Sequence, residues 1–224
     1  MKKSEILALA IESLKNQYEN AKCSLNYENG LELLVAARLS ARCKDDRVNI
    51  VTRDLFARFR TLESFCNAKQ DEIESIIKPC GLYRTKAKEI INMCKSLREN
   101  FNSQIPDNIE DLVKLPGIGR KIANLMLGEF FCKPAVIVDV HCFRITKRIG
   151  IQEEKTAAKA EKSLKKLLPA QESCKFCHRL VLHGKMICKS QNPDCEKCCM
   201  NLFCKTVNNS QTRRKPSLYS KRFT

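Results

Sequence analysis

The chain has 224 residues, 43% hydrophobic and 29% charged, the profile of a soluble globular protein long enough for one large domain or two small ones. Forty-one Lys and Arg stand against 25 Asp and Glu, a net charge of +16, which points to a polyanionic partner: nucleic acid first, an anionic membrane surface a distant second. No uncharged apolar run approaches a bilayer span, and the N-terminal apolar stretch is broken by Glu12 with no small-residue cleavage site, so neither a membrane protein nor a secreted one is expected.

Apolar periodicity predicts helices nearly throughout. Residues 4–16 place Ile6, Leu7, Ala10, Ile11 and Leu14 on one face. The same pattern runs through 31–42 and 47–59, with further helices at 70–78, 84–100 and 107–114. Pro79-Cys80-Gly81 and Ile105-Pro106-Asp107 are the breaks between them. Residues 120–131 are apolar on nearly all sides, so that helix should run through a core. Ala135–Val138 has the composition of a strand, but a lone strand has nothing to pair with. The helix after Asp139 should end at Lys147-Arg148-Ile149-Gly150, cations and then glycine. Helices at 156–168 and 171–183 come next, closed by Pro169 and Gly184, and no internal repeat is visible. From Lys205 the chain carries six Lys or Arg and no acid, and this tail is expected to be disordered.

The most informative stretch is Leu115-Pro116-Gly117-Ile118-Gly119-Arg120-Lys121, a tight glycine hairpin leading into a helix with a lysine on its first turn. Such a hairpin turns backbone N–H groups outward, and the helix N-terminus adds partial positive charge, so phosphate can dock there. A lysine amine beside a phosphate grip is a nucleophile aimed at a nucleic-acid backbone. Eighteen residues on, Asp139 in Val138-Asp139-Val140-His141 can stabilise cationic character in a transition state. Taken singly, each motif has a plainer reading: the hairpin as a passive phosphate grip, Asp139 as a helix N-cap.

Fourteen cysteines in a chain of this kind are not a disulfide framework. Seven are scattered singly and behave as small hydrophobes. Cys188-x6-Cys195-x2-Cys198-x5-Cys204 is different: four soft ligands at short spacing can hold zinc or an iron–sulfur cluster. Zinc more often uses two Cys-x2-Cys arms, and a single pair tilts the spacing toward [4Fe–4S], with Cys199 a rival ligand. Cys174-x2-Cys177-His178 matches a haem attachment motif, which chance on a cysteine-rich helix explains better.

The hairpin, the Val-Asp-x-His segment and the terminal cysteine spacing together resemble the endonuclease III family, helix-hairpin-helix DNA glycosylases with an associated lyase activity. Leu39-Ser40-Ala41, Gly81-Leu82-Tyr83, Ala123-Asn124 and Leu182-His183-Gly184 extend the resemblance from about Ile6 to Cys204. It implies an all-α, two-lobed fold with a DNA-binding cleft. One lobe is a six-helix barrel over 23–132; the other joins 1–22 to 133–204 and carries a [4Fe–4S] loop, leaving 205–224 as the tail. The family's catalytic lysine falls on Lys121 and its aspartate on Asp139. The cluster ligands fall on Cys188, Cys195, Cys198 and Cys204. DNA contacts fall on Arg42 and Leu82, on the hairpin's Leu115, Gly117, Gly119 and Arg120, on His141, and on Lys185, Lys189 and Lys197 of the cluster region.

The implied activity is removal of oxidised pyrimidines from double-stranded DNA and cleavage 3′ of the abasic site by β-elimination through a lysine Schiff base. The protein would act as a monomer, in the cytoplasm and with the nucleoid if bacterial. Three positions depart from the pattern. Arg42 stands where many members carry a gap-filling glutamine, and Ile122 and Val140 stand where threonine is common. These put the lesion range in doubt and keep a non-catalytic DNA-damage binder of the same fold as the alternative. A monofunctional adenine glycosylase is disfavoured, because it lacks the lysine and adds a C-terminal domain.

Overall fold

The computed structural model describes residues 1–208, and every regular element among them is helical. No described helix is long and apolar enough to cross a membrane. The chain forms two compact units, one of Met1–Ala21 with Val138 onward, the other of Lys22–Ile137.

In the first unit α1 (Lys3–Gln17) buries Leu7, Ala10 and Leu14, one residue per turn on a single face. The second unit runs through α2 (Gly30–Leu39), α3 (Asp45–Arg58), α4 (Leu62–Cys66), α5 (Gln70–Ile77), α6 (Tyr83–Asn100), α7 (Ile109–Leu112) and α8 (Arg120–Leu125). Its centre is α2, where Leu33, Leu34, Val35, Ala36, Ala37 and Leu39 are all buried. The Asn29 side chain caps that helix by accepting from the Glu32 N–H at 3.0 Å. Burying each leucine there contributes roughly 1.5–3 kcal/mol.

Five elements depart from the periodic pattern, one of them the helix Ser173–Met186, which runs through the Gly184 expected to close it. The helix expected over 31–42 stops at Leu39, because the Cys43 N–H turns back to the Ser40 carbonyl and Arg42 takes a left-handed φ of 56°. The helix expected over 107–114 shrinks to α7, since the next turn sends the Leu115 N–H to the Leu112 carbonyl. The helix expected over 120–131 is α-helical only to Leu125 and then widens into a π-turn, Met126–Phe130, closed by the Phe131 N–H on the Met126 carbonyl. The extra residue in that turn rotates Phe130 off the buried face, and it ends 39% exposed. The five-residue α4, capped by Thr61, is too short to have announced itself by period. Ala135–Val138 is buried but pairs as no strand.

The first unit resumes with α9 (Val140–Ile149), α10 (Ala157–Leu167) and α11 (Ser173–Met186). As read from the cations and glycine, α9 ends at Gly150 with φ 91°. Helix α11 packs against both α9 and α1. Gly184 permits the approach to α9, for a Cβ there would meet the His141 Cβ at 2.8 Å. The start of the expected disordered tail is ordered: residues 205–208 make a helical turn, and Lys205 pairs with Glu153. The rest of that expectation, 209–224, lies outside the described residues.

Candidate functional site

The Leu115–Lys121 segment is a hairpin anchored at two apolar points. Leu115 and Ile118 are 2% and 4% exposed, and the Ile118 N–H closes the turn on the Leu115 carbonyl at 3.1 Å. Its glycines do different jobs. Gly117 has φ 76°, and a Cβ there would sit 2.7 Å from the Arg38 Nε, which is itself paired with Glu89. Gly119 has an ordinary φ of −97°, and a Cβ there would meet nothing within 4 Å. Glycine at 117 is thus required by the fold, whereas glycine at 119 keeps an outward face of backbone bare.

Gly119 is the N-cap of α8. Arg120 and Lys121, its first two residues, are exposed. The Asn124 side chain donates to the Arg120 carbonyl at 3.0 Å and stiffens the turn that carries Lys121. Cys23 lies within the electrostatic reach of Lys121, Glu129 and Asp45, and burial pushes its thiol up to about 11. Nearby, the Tyr27 hydroxyl donates to Glu129 at 3.1 Å; burial first, and then the Glu129 charge, push the phenol further up.

The same unit holds Arg42 and Leu82. Both are exposed, Leu82 by 56%. Both are non-glycine residues in the left-handed region, at φ 56° and 49°. Between their loops lies Lys86, fully buried, which by sequence is an ordinary helix lysine. Its Nζ donates to the Leu39 and Cys80 carbonyls at 2.8 and 2.9 Å.

In the other unit Asp139 is the N-cap of α9, its Oδ1 accepting from the Cys142 N–H at 2.7 Å. The capping role is real, and it fixes the carboxylate at the positive end of the helix. His141 is half-buried, its Nδ1 3.1 Å from an Arg144 guanidinium nitrogen, and burial lowers the ring's pKa. Val140 is 73% exposed beside Asp139.

Cys188, Cys195, Cys198 and Cys204 all line one apolar cavity of about 90 Å³, together with Ile145, Ile149 and Met200. Cys199 does not line it. Burial first, and then the Cys204 and Cys188 charges, push the Cys195 thiol up; burial, with the neighbouring Cys199, Cys188 and Cys204 adding to it, pushes Cys198 up to about 12. Four soft sulfur ligands converging on one apolar cavity suit a tetrathiolate iron–sulfur ligand shell.

Two positions outside the loop hold its sulfurs. Arg148 donates to the Cys188 Sγ at 3.3 Å and to the Lys189 and Ser190 carbonyls at 2.6 and 2.8 Å. The His183 Nε2 is 3.3 Å from the Cys198 Sγ, and its Nδ1 is 3.1 Å from the Tyr18 hydroxyl. Sequence reading missed Arg148, whose only signal was a helix-ending cation. Lys185, Lys189 and Lys197 are exposed on or beside this loop, Lys197 paired with Asp194 at 3.2 Å. Cys177 of the haem-like motif is 1% exposed and turned onto Cys142, out of reach of any haem.

The family described as HhH-GPD superfamily base excision DNA repair protein matches residues 35–170, which include the hairpin, Lys121 and Asp139. The endonuclease III of Rickettsia prowazekii is 39% identical over 201 residues, spanning 90% of this chain and 95% of that protein. The endonuclease III of Bacillus subtilis is 36% identical over 200 residues, 89% of this chain and 91% of its own length. A solved non-covalent endonuclease III–DNA complex aligns with a TM-score of 0.89 at 34% identity, over 95% of this chain and 100% of that one. A trapped covalent endonuclease III–DNA intermediate gives 0.89 and 34%, over 94% and 100%.

Proposed function

The chain belongs to the endonuclease III family within the HhH-GPD superfamily of base excision DNA repair proteins, and on that premise we propose that it is a bifunctional DNA glycosylase and abasic-site lyase whose nucleophile is Lys121. The observation that carries this reading is an exposed lysine on the first turn of α8, directly behind a hairpin that leaves its Gly119 backbone bare. Backbone N–H groups at that helix end hold a phosphate, and the lysine amine is thereby set beside the sugar of a nucleotide swung out of the duplex. Attack of Nζ on C1′ forms a C–N bond as the glycosidic bond breaks, and the base leaves with the bonding pair and takes up a proton. Opening of the sugar gives a Schiff base. Loss of a C2′ proton then expels the 3′ phosphate and cuts the strand.

Asp139 stabilises the cationic sugar formed as the base departs, its carboxylate already oriented by the α9 cap. Leu82 wedges the stack, and Arg42 fills the gap with a charged donor fork suited to guanine edges or phosphate. The remaining DNA contacts are the hairpin's Leu115, Gly117, Gly119 and Arg120 in one unit, and His141, Lys185, Lys189 and Lys197 in the other. Cys188, Cys195, Cys198 and Cys204 hold a [4Fe–4S] cluster, which when bound supplies a structural crosslink rather than chemistry on the base. Oxidised pyrimidines and abasic sites in duplex DNA are the substrates. The Lys22–Ile137 unit is the barrel lobe and the other unit the cluster lobe.

Borohydride trapping tests the reading, with duplexes containing thymine glycol or an abasic site. A covalent adduct with both that is lost in Lys121→Ala is the expected result. An adduct with the abasic duplex alone keeps the lyase and moves base specificity elsewhere, as Arg42, Ile122 and Val140 would allow. No adduct with either, from protein whose cluster is intact, overturns the lyase and leaves a damage binder.

A further inference from the structure

Lys86 has no solvent exposure, and it stands on the first turn of α6. A buried ammonium is costly unless its protons are taken up. Here they go to two backbone carbonyls that lie far apart in sequence, Leu39 at 2.8 Å and Cys80 at 2.9 Å. Leu39 is the last residue of α2, and Cys80 is the last of the 3-10 turn Lys78–Cys80. Terminal carbonyls of this kind lack helical partners, and a cation is favoured among them. One side chain therefore caps two elements at once. Burial pushes its pKa below the usual lysine value, and the Cys80 and Cys43 thiols lie close enough to oppose that shift.

Each capped carbonyl stands just ahead of an exposed loop tip. Arg42 comes three residues after Leu39, and Leu82 two after Cys80. Both are exposed, and both are held at a left-handed φ, 56° and 49°, without being glycine. Such a conformation is strained for a residue with a Cβ and persists only where the surroundings over-determine it. The shared ammonium supplies that constraint, because it fixes the chain just before each tip to the same point. A neutral cap on either element alone would leave the tips free to move apart.

We propose that Lys86 is a positioning residue that locks Arg42 and Leu82 into one two-pronged wedge, so that both prongs enter the duplex in register. The proposal rests on the reading that this protein extrudes a nucleotide. It adds a device that works before any bond is made. A wedge is needed to open a base stack and is not needed when the abasic nucleotide lies in single-stranded DNA, where nothing has to be unstacked.

The test compares wild type, Lys86→Met, which keeps length but donates nothing, and Lys86→Gln, which reaches a single carbonyl. Borohydride trapping is run on an abasic oligonucleotide, single-stranded and in duplex. Fluorescence of a 2-aminopurine beside the abasic site reports unstacking on binding. The expected result is a duplex trapping rate down about 10²-fold in Lys86→Met, in line with a misplacement of about 1 Å. The single-strand rate is unchanged, Lys86→Gln is intermediate, and the 2-aminopurine signal falls in step. Adding Leu82→Ala to Lys86→Met then costs little more than Lys86→Met alone, because the two act as one unit.

Equal losses on both substrates, or a duplex rate like wild type in Lys86→Gln and Lys86→Met, overturn the proposal. If Lys86→Met fails to fold by circular dichroism, Lys86→Gln decides by the same duplex-to-single-strand ratio. If wild type traps neither substrate, the lyase reading has failed, and the 2-aminopurine signal on binding still separates an aligned wedge from a structural lysine.

Discussion

The hairpin around Gly117 and the cysteine loop from Cys188 to Cys204 are both short, irregular and built to present a functional group, yet one turns its functional group outward and the other turns its cysteines inward. The hairpin is held by its own residues: two buried apolar anchors, one left-handed glycine and a helix that begins at Gly119. The loop contains little regular structure beyond the 3-10 turn Asn201–Phe203, and its cysteines turn inward onto a shared cavity. From outside the loop, Arg148 on α9 and His183 on α11 reach its cysteine sulfurs. A segment ordered by its own backbone tolerates loss of its chemical group. A segment ordered around a ligand, as proposed for the cysteine loop, would not.

The largest expected effect falls on chemistry with no effect on fold. Lys121→Ala should lower the rate of Schiff-base trapping on the order of 10³-fold or more, with an unchanged melting temperature, since Lys121 is exposed. A matching loss of stability would show that the hairpin depends on its lysine and would break the contrast. Cys195→Ser should do the reverse, abolishing the visible absorption of the cluster and opening the loop to protease. A loop still protected in that variant, or in protein stripped of iron, would mean that Arg148 and His183 order it without a ligand.

Smaller changes sharpen the comparison. Gly117→Ala is expected to cost about 1–3 kcal/mol in chemical denaturation, since it combines a left-handed residue with a clash on Arg38. Arg148→Ala, which removes donors to Cys188, Lys189 and Ser190, should cost about 2 kcal/mol in the same measurement and leave hairpin function intact. Gly119→Ala should move stability by less than about 0.5 kcal/mol, because its Cβ enters open space. Its effect should instead be weaker binding to duplex DNA in a titration at fixed salt, as a methyl group intrudes where phosphate approaches the backbone.

Sequence legibility tracked the range of the interactions. Helix α9 was readable to its final glycine, because cap, amphipathic face and stop signal all lie within 12 residues, Asp139 to Gly150. The hairpin and the cysteine spacing were readable for the same reason. Helix α8 was not, since period alone cannot foresee a π-turn that shifts Phe130 off the buried face. Nor could period show that α2 ends early at Leu39. The last carbonyl of that helix is held by a lysine 47 residues away.

By itself the sequence determined a basic, helical protein and the local devices: the glycine turn ahead of Lys121, the Asp139 cap and four cysteines at short spacing. All of these depend on neighbours along the chain, where steric and hydrogen-bonding preferences act without help. Only the tertiary structure decided that Cys199 stays out of the cavity the other four thiols share. It also decided that Gly117 is demanded by Arg38 while Gly119 is not, and that Lys86 joins two loops. Those outcomes depend on which side chains meet across the core, and no spacing in the chain encodes a meeting of that kind.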